Sequence, residues 1–132
     1  MADTVSTNSI STGTKTVVRQ FTNISDGTGE TDVVKLDISG LTGPDGTSAP
    51  SKIKILEVEW AIQGFNYIKL SYDRDTDVTA CVLPAGAGYK NFSRVGGIPD
   101  TGSGGTGDLL LTTNGGAANS TYDITVRIQL EV

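Results

Sequence analysis

"STYDITVRIQLEV", Ser120–Val132, is the stretch on which the fold turns. Tyr122, Ile124, Val126, Ile128, Leu130 and Val132 fall on every second position, with polar or charged residues between them. Side chains of an extended chain point alternately to its two faces, so this spacing gathers the apolar groups on one face and predicts a half-buried β-strand. The same rhythm recurs in "DVVKLDIS" (Asp32–Ser39), where Val34, Leu36 and Ile38 alternate, and in "NYIKLSYD" (Asn66–Asp73), where Ile68, Leu70 and Tyr72 do. In "KIKILEVEWAIQ" (Lys52–Gln63) the phase changes: Ile53 and Ile55 share one parity, Val58, Trp60 and Ile62 the other. A β-bulge near Leu56 keeps both groups on the core side, and so does a corner between two sheets.

Further strands are predicted at "TVVRQFTNI", "TACVL", "YKNFSRV" and "DLLLTT", between the turn signals "SDGTGE", "GPDGTSAP", "IQGFN", "DRDTD" and "PAGAG". No long amphipathic helical pattern is present. About eight short strands at this spacing predict an all-β domain, a β-sandwich or jelly roll, over residues 16–132. Residues 1–15 are mostly Ser, Thr, Asn and Gly, with Val5 and Ile10 among the few apolar groups. They are expected to form a polar N-terminal arm that docks on a neighbouring subunit.

Composition narrows the function. At 132 residues the chain suits a single domain with a core of its own, and 17 glycines, near twice the usual ~7%, mark many turns. A net charge of −5 with scattered Lys and Arg argues against direct nucleic-acid binding, which needs clustered cations. No apolar run approaches transmembrane length and the N-terminus has no secretory h-region, so no membrane partner is expected. Cys81, alone in its apolar "TACVL" setting, cannot form an intrachain disulfide and reads as a packing residue. The absence of histidine removes Ser-His and Cys-His nucleophile pairs and every histidine metal site.

Two motifs invite a ligand and then fail as fingerprints. Gly102, Gly104 and Gly107 match G-x-G-x-x-G, but "IPD" before them is a turn and "DLLLTT" after them is too short and β-like for the helix whose N-terminus would meet a pyrophosphate. The stretch "GGIPDTGSGGTG" therefore reads as a long connection between strands. Asp73, Asp75 and Asp77 have the D-x-D-x-D spacing of a calcium loop, yet Val78 stands where the turn needs glycine and Pro84 where the closing glutamate belongs. An EF-hand is excluded, and no metal site, cofactor or catalytic residue is assigned. Tyr67, Tyr89 and Phe92 lie near turns and are the candidates for a sugar-stacking platform.

Taken together, "ISDGTGETDVVKLDISGL", Trp60 in "ILEVEW", "LSYDRDTDVTACVLPAG", "GGIPDTGSGGTGDLLLTT" and the closing "STYDITVRIQLEV" resemble small virion proteins of tailed bacteriophages, over residues 18–132. The resemblance implies a head decoration, or cement, protein. It would be made in the host bacterial cytoplasm, act without catalysis, associate as a homotrimer and bind the major capsid protein on the outer surface of the shell. It carries over no site residues. The alternative is a receptor- or carbohydrate-binding module of a tail fibre or baseplate, which shares the composition.

Overall fold

The computed structural model describes residues 4–13, 15–27, 29–43 and 46–131. The chain is all-β. Among the described residues seven strands run in order: β1 (Thr4–Thr12), β2 (Thr16–Asp26), β3 (Val33–Leu36), β4 (Lys52–Tyr72), β5 (Val78–Asn91), β6 (Leu109–Gly115) and β7 (Ala118–Glu131). All their pairings are antiparallel, and they follow the spatial order β1-β2-β7-β4-β6-β3, with β5 against the other edge of β4. Hydrogen bonding thus joins every strand into one curled sheet, and the layering comes from its curl.

The curl originates in β4. Its first half, Lys52–Gln63, pairs with β7, and its second half, Phe65–Tyr72, pairs with β6 on the same edge. The "IQGFN" and "PAGAG" segments, predicted as turns, are instead coordinated bends within β4 and β5, so that four expected strands merge into two long ones. Between the pairs Ile62–Gly86 and Tyr67–Pro84, four residues of β4 oppose the single residue Ala85. Gly64 makes the bend possible. Its φ is +91°, and a Cβ placed there would lie 2.2 Å from Ser120 Oγ.

The phase change in β4 is a bulge. Ile55 pairs with Ile128 and Glu57 with Arg127, which leaves Leu56 as the extra residue. As a result Ile53, Ile55, Val58, Trp60 and Ile62 are all buried inside the curl. They meet Tyr122, Ile124, Val126, Ile128 and Leu130 of β7, together with Ile68, Leu70 and Tyr72. The alternation that β7 predicted is present throughout its described length; Val132 lies outside the described residues.

Two local readings differ from the sequence. In β3, Val34 is half-exposed and Lys35 is buried, the reverse of the expected alternation. The cause is a second bulge: Val34 pairs with Leu110 and Leu36 with Leu109, so Lys35 is the extra residue and its side chain turns inward. Ile38, expected on the same strand, follows in a short 3-10 turn, Ile38–Gly40, whose Ile38 N–H donates to Asp108 Oδ1 and whose Ser39 N–H donates to Asp37 Oδ1, both at 3.0 Å. The second difference is at the start. Thr4–Thr12, within the stretch expected to be an arm, runs as an edge strand on β2, from Thr4 opposite Ile24 to Thr12 opposite Val17. Its Thr and Val residues favour extended backbone, and ladder pairing satisfies the N–H and C=O groups of that backbone.

Candidate functional site

The glycine-rich segment is bound to its own chain. Arg74, in the turn between β4 and β5, donates from Nε to Asp100 Oδ2 at 2.9 Å and from Nη2 to the same oxygen at 2.7 Å. Its Nη1 also reaches the Gly104 carbonyl at 3.0 Å. Asp100 is fully buried, so the ion pair forms at low dielectric, and the hydrogen bond to Asp100 raises the pKa of the guanidinium. The glycines answer to this docking. A Cβ at Gly104 would overlap the Asp75 carboxylate, and one at Gly105 would come within 2.5 Å of the Asp73 carbonyl oxygen. The apparent dinucleotide motif is therefore a steric requirement of one loop lying on another.

The three aspartates of "DRDTD" take part in the same junction. Asp73 Oδ2 accepts from Thr106 Oγ1 at 2.8 Å, Asp77 Oδ1 accepts from the Arg74 N–H at 3.1 Å, and Asp75 lies beside Gly104. Among the described residues no cluster of three or more His, Cys, Asp or Glu side chains is placed to hold a metal ion.

On the solvent side of the sheet a groove of about 400 Å³ crosses β2, β7, β4 and β5. Its floor follows from strand register. Gln20, Thr125, Glu59 and Tyr89 form one row across the four strands, and Ala61 and Ala87 in the next row leave the depression. Asp123 accepts from Gln20 Nε2 at 3.0 Å, while Glu57 pairs with Arg127 at 3.2 Å just beyond the groove. Partial desolvation, followed by hydrogen bonding to Glu57 and the field of that carboxylate, pushes the Tyr89 phenol up. The aromatics proposed as one platform are not brought together: Tyr67 stands opposite Pro84 on the far arm of the bent β4–β5 ribbon, and Phe92 packs against the core. Cys81 likewise packs against the core, and burial pushes its thiol up to about 12.

A buried polar quartet was not foreseen from the sequence. Glu30, in the connection between β2 and β3, is fixed to β6 by hydrogen bonds between its backbone and Thr113. Its carboxylate accepts from Asn23 Nδ2 at 2.9 Å, from Lys35 Nζ at 2.6 Å and from the Tyr122 hydroxyl. Asn23 and Tyr122 are cross-strand partners, and the Lys35 ammonium lies 5.9 Å from the centre of the Tyr122 ring. The one signal in the sequence is a lysine inside the apolar run "VVKL".

No family model matches the chain, and neither a curated protein nor a solved structure matches it.

Proposed function

We propose that the protein is a non-enzymatic component of a tailed-phage virion, a head decoration protein that binds the finished capsid from outside and stabilises it. The observation that carries this reading is the pair of bare strand edges. β1, "TVSTNSIST", contains no charged residue, and β5, "VTACVLPAGAGYKN", contains no carboxylate and only Lys90. Exposed edges are normally blunted by charge, because their free N–H and C=O groups template pairing with other chains. Here a bulge at Ile10 and the single Pro84 are the interruptions, and Ile10 and Val82 are exposed along these edges. Such edges suit strand addition onto subunits of a lattice, including self-association as a trimer.

A rigid body with adhesive edges needs no chemistry to do this work. Binding to an intact shell but not to its dissociated subunits stabilises the shell by about 2.7 kcal/mol per site at 100 times the dissociation constant. Purified protein added to capsids lacking it is expected to bind in saturable, stoichiometric amounts and to reduce DNA release on heating or osmotic shock. Saturating protein that binds no capsid, or binds without effect on release, removes this reading. The solvent-side groove, with Tyr89 beside Glu59, Gln20 and Asp123, favours the second reading of a carbohydrate-binding module. Glycan-array binding without capsid affinity would establish it instead.

A further inference from the structure

The Asn23–Glu30–Lys35 arrangement is an unusual thing to bury. Asn23 is 1% exposed, Glu30 7% and Lys35 8%, with Tyr122 beside them and Phe65 against the Tyr122 ring. A buried ion pair contributes little to stability compared with apolar residues of equal volume, so its presence inside a core calls for another reason. The geometry supplies one. A primary amine and a carboxamide are held on the two oxygens of one carboxylate, Lys35 Nζ on Oε2 at 2.6 Å and Asn23 Nδ2 on Oε1 at 2.9 Å. Amine and amide thus share one buried carboxylate, away from competing water, with an acid–base group in contact with both nitrogens that must exchange protons.

We propose that the folded protein forms an intramolecular amide bond between Lys35 Nζ and Asn23 Cγ, with Glu30 as the acid–base catalyst. Glu30 Oε2 takes a proton from the Lys35 ammonium and leaves a neutral amine. That amine attacks Asn23 Cγ, and a tetrahedral centre forms. The Cγ–Nδ2 bond then breaks while the Glu30 carboxyl protonates the departing nitrogen. The second proton lost by Lys35 Nζ returns to Glu30 and leaves with ammonia as ammonium. One C–N bond is made, one is broken, and no oxidant or reductant is involved. Tyr122, which donates to Oε1, orients the carboxylate.

The bond has a structural rationale. β2 lies near one end of the strand order and β3 at the other, so the link would close the curled sheet across its open side. β3 is only four residues long and pairs with β6 alone, which makes it the element that gains most from a covalent clamp.

The inference does not depend on the virion reading, and intact-mass spectrometry of the purified full chain tests it. The folded wild type is expected to weigh one ammonia less than its sequence requires. Digestion should show no tryptic cleavage after Lys35, with fragment ions that place the link between Asn23 and Lys35. Lys35→Arg and Glu30→Gln are expected to show the full mass, with a retained β-sheet circular dichroism signal confirming that they fold. A wild type at full mass after prolonged incubation in the folded state overturns the proposal and leaves a noncovalent cluster. Loss of ammonia that persists in Lys35→Arg also overturns it, because it assigns the loss to cyclisation elsewhere.

Discussion

The phenol of Tyr72 reaches from the end of β4 back to its start, where its oxygen accepts from the Ile55 N–H at 3.1 Å and donates to the Ile98 carbonyl at 2.7 Å. Ile55 and Ile98 already form a bridge through the Ile98 N–H and the Ile55 carbonyl, at 3.0 Å. Tyr72 is thus inserted where the second bond of that bridge would be. Tyr72→Phe keeps the ring and removes the insert, leaving a buried donor and acceptor without their partner. A loss of about 1–3 kcal/mol is expected from urea unfolding at unchanged m-value, and wild-type stability would mean that the bridge closes directly. Breaking the Arg74–Asp100 pair should cost more, because Asp100→Ala leaves a guanidinium only 10% exposed without its counterion. About 3–5 kcal/mol is expected, with faster proteolysis in the 102–107 loop as a local signature.

At the scale of elements, period-two patterning made β7 and the two halves of β4 legible, because each has one face in the core and one in solvent. The bulge at Leu56 was legible for the same reason: a single slip in parity has few physical explanations. The bulge at Lys35 was not, since it turns a charge inward and its justification, Glu30, is supplied by tertiary contact. β1 was illegible because its sequence carries no apolar alternation, and ladder hydrogen bonds leave no mark on composition. The merged strands show the limit from the other side, as Gly64 signals a turn equally well whether the ladder ends or bends there. Gly64→Ala tests how tightly that bend is specified. The methyl group meets Ser120 at a φ of +91°, so a loss of ~2 kcal/mol or more is expected in thermal unfolding. Ser120→Gly added to it should recover only part, because the backbone strain remains. Deleting residues 2–14 removes an edge strand and no part of the described core, and should leave a protein that still unfolds cooperatively.

For the whole molecule, pH acts through groups whose protons the fold retains. Burial raises the pKa of Tyr72 above its ordinary 10.0, opposed by the hydrogen bond from the Ile55 N–H and reinforced by the charges of Cys81, Asp100 and Glu131, and burial pushes Cys81 from 9.0 to about 12. In the unfolded chain both groups ionise near their ordinary values, so between those values and the folded ones unfolding releases protons. Stability from these groups is therefore complete below about pH 9 and falls as pH rises, first through Cys81 and then, above about pH 10, through Tyr72 as well. The expected melting temperature is flat from pH 7 to about pH 8.5 and declines beyond pH 9. Cys81→Ala should lower the plateau slightly, on the order of 1 kcal/mol, and delay the onset of the decline toward pH 10, since it removes the group that ionises first. Melting curves of the wild type and Cys81→Ala between pH 7 and 11 separate these effects: an alkaline decline with the same onset in both proteins would show that Cys81 is solvated in the folded state, and that its packing against the core contributes nothing to the pH limit.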